Sequence, residues 1–277
     1  RDPRIKDQPA APDLKIDHGV LRFENVEFSF GSGSSDTRVL AGVSFSVGSG
    51  ETLGIVGPPG SGKSTIAHLV PRFYDVTGGR VSIDGQDIRD ISLDSLRQAV
   101  SVVQQDAFLF TASIENNIAY GDPWSDGERI ARANRSAQLH DYVAKLPGGY
   151  ETLVGERGVS LSGGQRQRLS IARGILSNPS ILVFDDSTAA VDAGTERRIR
   201  LGLREGQDKR ATVIISHRLG SLMHAGEILF IEAGRVVERG SHDELMALGG
   251  RYHDLYQLQS RPGEDHGVEV AALGETK

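Results

Sequence analysis

The sequence predicts an α/β fold: a mostly parallel sheet with covering helices, an N-terminal antiparallel β subdomain and an inserted α-helical subdomain. Three observations carry this expectation. Compact apolar runs at residues 181–184, 212–215 and 228–231 have the length and composition of strands buried on both faces. Helical stretches, notably residues 163–176 and 194–203, lie between several such runs, and strand, helix, strand in that rhythm gives a parallel sheet. Near the N-terminus, short segments alternate apolar and polar residues with period two.

In chain order, residues 1–16 hold three prolines and mixed charges, and read as a linker or extended lead-in. Residues 20–23, 26–30 and 43–47 read as half-buried antiparallel strands, joined through a Gly/Ser-rich loop at 31–35. Residues 52–56 form a short apolar strand that leads into a glycine loop and a helix beginning near Lys63. From about 106 to 158, and on to about 165 where the next helix opens, the pattern is mainly helical with few buried-strand signals, which marks the inserted subdomain. Ser241 to Glu244 is a capping box opening a helix through Leu248. The expected folded domain spans 17–258, and 259–277 reads as a disordered tail, polar and glycine-bearing.

Composition narrows the function. The chain has 277 residues, 38% hydrophobic and 25% charged, ample for a buried core. It contains no apolar run of about 18 residues, the length a membrane-crossing helix needs. Its first four residues lack the apolar core of a signal peptide, so the expectation is a chain that is not secreted. Zero cysteines excludes disulfides, thiolate metal sites and a cysteine nucleophile, and fits a reducing cytosol. A net charge of −6 argues against non-specific nucleic-acid binding, which needs a basic face. The 34 glycines exceed the roughly 7% norm and fall in short clusters, which suggests tight loops around a ligand.

The first such cluster is Gly57, Pro58, Pro59, Gly60, Ser61, Gly62, Lys63, Ser64 and Thr65, which matches the phosphate-loop pattern. The glycines let backbone N–H groups converge on phosphates without Cβ collisions, and the following helix adds its positive end. Lys63 is placed to reach the β- and γ-phosphates of ATP or GTP, and the Ser64 hydroxyl to bind Mg²⁺. A second feature is the apolar strand ending in Asp185 and Asp186. Asp185 suits a water-mediated hold on Mg²⁺, and Asp186 stands where a general base polarises the attacking water. Seen alone, the same pair could simply cap the next helix; beside a phosphate loop that reading recedes.

Leu161, Ser162, Gly163, Gly164 and Gln165 match, letter for letter, the signature sequence of ABC ATPases, and the chain resembles that family from about Val20 to Leu258. On its own the segment is a capping box at a helix start, and a helix N-terminus with two glycines is an anion site. The resemblance implies a P-loop (RecA-like) core, ATP and Mg²⁺ as ligands, and a composite site in which the signature meets ATP held by a second motor domain. It also implies that Phe30 stacks on adenine, where Tyr is more usual; the alternative is an ordinary strand aromatic. Gln105 matches the glutamine that contacts Mg²⁺, with Gln104 beside it as a possible register alternative. Asp192 matches the acidic member of the loop that crosses to the partner, and His217 the switch histidine at the γ-phosphate.

Residues 152–158, just before the signature, resemble the exporter branch of the family, and the lead-in resembles the stretch that joins an exporter's membrane helices to its motor. The implied partners are a transmembrane domain, fused or separate, and a second nucleotide-binding domain, at the cytoplasmic face of the cell membrane, with no nucleic acid. One departure stands out: Asp186 replaces the usual Glu, about 1 Å shorter in reach, and misplacement of that size costs about 10²-fold in rate. An intact signature beside a weakened base fits one subunit of a heterodimeric exporter; an intact His217 fits a homodimer with slow hydrolysis. A non-transport ABC ATPase and a purely regulatory ATP-binding module are the readings from other classes.

Overall fold

A computed structural model describes residues 5–31, 38–155, 159–204 and 210–260. The expected loop at 31–35 falls mostly outside these residues, as do part of the exporter-like segment at 152–158, the first four residues of the lead-in and all of the tail beyond Ser260.

Two sheets organise the chain. The first contains β1 (Leu21–Ser29), β2 (Arg38–Val47), β4 (Gly78–Ile83) and β5 (Gln86–Asp87) in the order β2-β1-β4-β5, antiparallel throughout. The second contains β3 (Thr52–Val56), β6 (Val100–Val103), β7 (Ile181–Asp185), β8 (Ala211–Ile215), β9 (Glu227–Glu232) and β10 (Arg235–Gly240), in the order β10-β9-β3-β8-β7-β6. Its pairings are parallel except β9–β10, so the expected mostly parallel sheet and antiparallel subdomain both form. The helices are α1 (Lys63–Leu69), α2 (Leu93–Ala99), α3 (Ile114–Ile118), α4 (Gly127–Ser136), α5 (His140–Val143), α6 (Gly163–Leu176), α7 (Ala193–Arg204), α8 (Leu219–Leu222), α9 (His242–Leu248) and α10 (Arg251–Gln259).

The sequence divides 20–30 into two strands, whereas the structure has one. Asn25 sits at φ 47°, and the pairing with β2 shifts register between Phe23 and Val26, so a bulge breaks the alternation without ending the strand. Phe30 lies one residue beyond it, in a bend.

Strand periodicity distributes the core. On β7, Ile181 and Val183 face a cluster shared with the antiparallel sheet, α1 and α2, while Leu182 and Phe184 face a second cluster with α3–α6. On β9, Leu229 and Ile231 join the first cluster, and Ile228 and Phe230 pack under α8–α10 with the fully buried Tyr252. The parallel sheet is therefore covered on both faces, as the apolar runs require.

The described part of the lead-in lies along α2. The Leu93 N–H donates to Asp7 Oδ1 (2.8 Å), the Ser92 N–H to the Pro12 carbonyl (2.8 Å), and the Leu14 N–H to Ser95 Oγ (2.8 Å). Just after it, Asp84 accepts N–H bonds from Asp17, His18, Gly19 and Val20 at 2.8–3.0 Å. Burial alone raises the Asp84 pKa, but these four bonds hold its carboxyl below the ordinary value.

Candidate functional site

The parallel register of β3, β8 and β7 brings their C-terminal ends to one edge, where ligands of open α/β sheets bind. Gly57 leaves β3 there at φ +155°, and a Cβ on it would meet the Ile231 carbonyl oxygen at 1.9 Å, so no other residue fits the start of the loop. Lys63 opens α1 and folds back on its own loop: its Nζ donates to the Gly57 and Pro58 carbonyls at 2.8 and 2.9 Å, and lies 3.5 Å from Ser61 Oγ. Burial holds the Lys63 ammonium below its ordinary pKa, against the carboxylates of Asp186 and Asp185. The next residue, Ser64, donates to Asp185 Oδ1 at 3.2 Å, across the gap between α1 and β7. Burial pushes the Asp185 carboxyl up, partly offset by that hydrogen bond.

Asp186 follows at φ 46°, a left-handed conformation that turns the chain sharply out of β7. Its Oδ1 accepts two bonds from one residue beyond β8: the His217 backbone N–H (3.0 Å) and the ring Nδ1 (2.7 Å). Burial works against the Asp186 charge, but these bonds keep its carboxyl below the ordinary range. The same hydrogen bond raises the His217 pKa, against burial. The charged pair therefore holds between the lowered Asp186 value and the raised His217 value. It is lost on the acid side as Asp186 protonates and on the basic side as His217 deprotonates. The His217 ring is expected to titrate above the ordinary histidine value of about 6.5, and Asp186→Asn to lower that midpoint. An NMR titration of the ring checks this; a midpoint unmoved by the substitution contradicts it.

The other expected residues lie around this cluster. Phe30 is 48% exposed and meets Phe28 and Tyr74 edge-on, with ring centroids 4.8 and 5.4 Å away. Gln104 and Gln105 are both exposed after β6, and the Gln105 carbonyl faces Gln167 Nε2 at 3.5 Å. Leu161 is buried and Ser162 caps α6 in a complete capping box, the Gln165 side chain accepting from the Ser162 N–H at 2.7 Å. A Cβ on Gly164 would meet the Ala190 carbonyl oxygen at 2.7 Å, so the signature packs against the 189–192 loop only as glycine. Asp192 Oδ1 accepts from the Thr195 N–H at 2.9 Å and caps α7. Lys63, Ser64, Asp185, Asp186 and His217 are thus brought together, while Leu161–Gln165 belong to the layer of α6.

Three residues of this region escape the sequence reading. Buried Gln167, two positions past the signature, also accepts from the Ala190 N–H at 2.8 Å, tying that loop to α6. Arg218 Nη1 donates to the Val191 carbonyl at 3.1 Å and lies 3.4 and 3.5 Å from those of Thr188 and Ala189. Adjacency to His217 and to the signature is the signal that points to these two. Gln259, at the end of α10, binds the backbone on both sides of Arg218.

Among the described residues no group of three or more His, Cys, Asp or Glu side chains could hold a metal ion. Magnesium does not need such a cage, because it takes one or two protein ligands and completes its shell with water and phosphate. The hydroxyl of Ser64 paired with buried Asp185 is a donor set of that kind and fits Mg²⁺. No described helix is long and apolar enough to cross a membrane.

Comparison with known proteins agrees with the geometry. The family model described as ABC transporter matches residues 40–189. The ABC transporter ATP-binding protein YknU of Bacillus subtilis is 46% identical over 257 residues, covering 93% of this chain and 44% of that protein. Human ATP-binding cassette sub-family B member 6 is 44% identical over 255 residues, covering 92% and 30%. A solved structure, a bacterial Atm1-family ABC exporter with ATP bound, superposes with a TM-score of 0.88 at 42% identity, covering 93% of this chain and 45% of that one. The chain spans less than half the length of each of these relatives.

Proposed function

This chain belongs to the ABC transporter family, and from that premise we propose that it is the ATP-binding and ATP-hydrolysing motor domain of an exporter, one side of a two-chain ATP sandwich at the cytoplasmic face of a membrane. The observation that carries this reading is the single cluster of Lys63, Ser64, Asp185, Asp186 and His217 at one sheet edge, with the signature on a separate helical layer. In this reading residues 17–258 are the motor, 106–165 its helical subdomain, 1–16 the link to a transmembrane domain and 259–277 a tail.

In the motor, Phe30 offers its open face to adenine and the N–H groups of residues 57–65 receive the phosphates. Lys63 leaves the Gly57 and Pro58 carbonyls for the β- and γ-phosphate oxygens. Bound Mg²⁺ would neutralise charge on those phosphates, with Ser64 and Gln105 as direct ligands and Asp185 acting through water. Asp186 orients the attacking water and takes its proton, and His217, held on Asp186, presents its other ring nitrogen to the γ-phosphate. Ser162 to Gln165 present an open helix N-terminus to ATP on the second chain, and Asp192 lies on the loop that crosses to it.

Asp186 is a weakened base on two counts. It is one methylene shorter than Glu, and its Oδ1 is already occupied twice by His217, which leaves Oδ2 for water. This supports a heterodimer in which this chain's own site mostly holds ATP and its signature completes a faster site on the partner. The second reading, a homodimer with slow but competent hydrolysis, is favoured by the intact His217 pairing. In the assembled transporter, Ser162→Ala is expected to lower ATP turnover about tenfold or more, since it removes both a helix cap and a donor to the partner's nucleotide. An unchanged rate contradicts the sandwich.

A further inference from the structure

We propose that Gln259, at the end of helix α10, is a positioning residue for the switch histidine, so that this helix forms part of the control of the ATP site. Its side-chain amide binds the switch segment twice. Nε2 donates to the His217 carbonyl at 2.6 Å, and Oε1 accepts from the Leu219 N–H at 3.0 Å. Leu219 opens α8, a helix whose N-cap residue, Arg218, makes no capping bond, so Gln259 satisfies an otherwise orphaned first-turn donor from 40 residues away.

The other bonds of the segment show what this contact does. The His217 N–H is held by Asp186 Oδ1, the His217 carbonyl by Gln259, and the Arg218 guanidinium by the carbonyls of the 188–191 loop. Each side of the switch is thus fixed by a different element, and the anchor behind it is α10. That helix is itself bound firmly to the sheet. Tyr252 is fully buried, with its hydroxyl on His242 Nδ1 at 2.8 Å. Glu238 of β10 accepts the Arg251 and Tyr252 N–H groups at 2.6 and 3.0 Å, and Arg251 pairs with Glu232 of β9. The far end of α10 is held out to the switch from this base, and a backbone anchored at both its N–H and its carbonyl presents the ring in one place.

The inference rests on the reading of His217 as a group that responds to the γ-phosphate. Hydrogen exchange over residues 214–222 tests both, with ADP, with a non-hydrolysable ATP analogue and without nucleotide. In the unmodified chain the ATP analogue is expected to protect this segment more than ADP. In Gln259→Leu, which loses both bonds, the Leu219 amide should exchange about tenfold faster without nucleotide. The isosteric Gln259→Glu keeps an acceptor for the Leu219 N–H but loses the donor to the His217 carbonyl, and in both variants the difference between the two nucleotides should vanish. Affinity for ADP should stay within about twofold, and Gln257→Leu, exposed and two positions earlier on a different face of α10, should behave as the unmodified chain. Gln259 variants that keep the nucleotide-dependent difference overturn the proposal. An unmodified chain that shows none overturns the reading of His217 beneath it, and the proposal with it.

Discussion

Lys63→Ala is expected to weaken ATP binding by about 10²-fold while the chain stays folded. The ammonium is the cation at the centre of the phosphate loop, and its hydrogen bonds end on the carbonyls of Gly57 and Pro58 and near Ser61. Those acceptors are neutral, and a doubly charged phosphate replaces them with bonds in which donor and acceptor are both charged. Burial holds the ammonium below its ordinary pKa, and a phosphate beside it favours the charged form. A loss of about 3 kcal/mol corresponds to the stated factor. The two bonds it makes within the loop contribute about 1 kcal/mol each to stability, a shift of a few degrees in melting temperature for a chain of this size. Titration with a fluorescent ATP analogue beside a melting curve separates the two effects. Affinity within threefold of the unmodified chain would remove Lys63 from the site.

Legibility in the sequence follows the range of the interactions involved. Strands buried on both faces must be apolar along their length, so β7, β8 and β9 announce themselves. Other strands do not. β10 alternates exposed and half-buried residues at the sheet edge, β4 begins with two glycines, and β6 follows α2 without a turn signal. The bulge at Asn25 divides β1 in the sequence because a one-residue slip inverts the alternation, while the backbone pairing resumes beyond it.

The site divides in the same way. Gly57 to Thr65 and Leu161 to Gln165 are contiguous because one loop and one helix start each do a complete job with their own backbone groups. Asp185 and Asp186 are readable because they end a buried strand. The bonds that set the geometry join distant parts of the chain: Ser64 to Asp185, His217 to Asp186, Gln167 to Gln105 and Ala190, Gln259 to His217. A glutamine at the end of the last described helix has no local pattern that marks it, and the sequence assigns Gln259 to the tail. Its partners are fixed only when α10 packs through Tyr252 onto β9.

The central claim is that this chain carries a complete nucleotide site with a shortened base at Asp186. Steady-state Mg-ATP turnover of the chain beside its Asp186→Glu variant, both at concentrations high enough to dimerise, tests it most directly. A glutamate adds about 1 Å of reach, which carries a carboxylate oxygen past the His217 contact toward the attacking water, and recovers the rate lost to misplacement. The account predicts that Asp186→Glu turns over about 10²-fold faster than the unmodified chain. Equal rates would contradict it, making Asp186 an adequate base and the homodimer the better description.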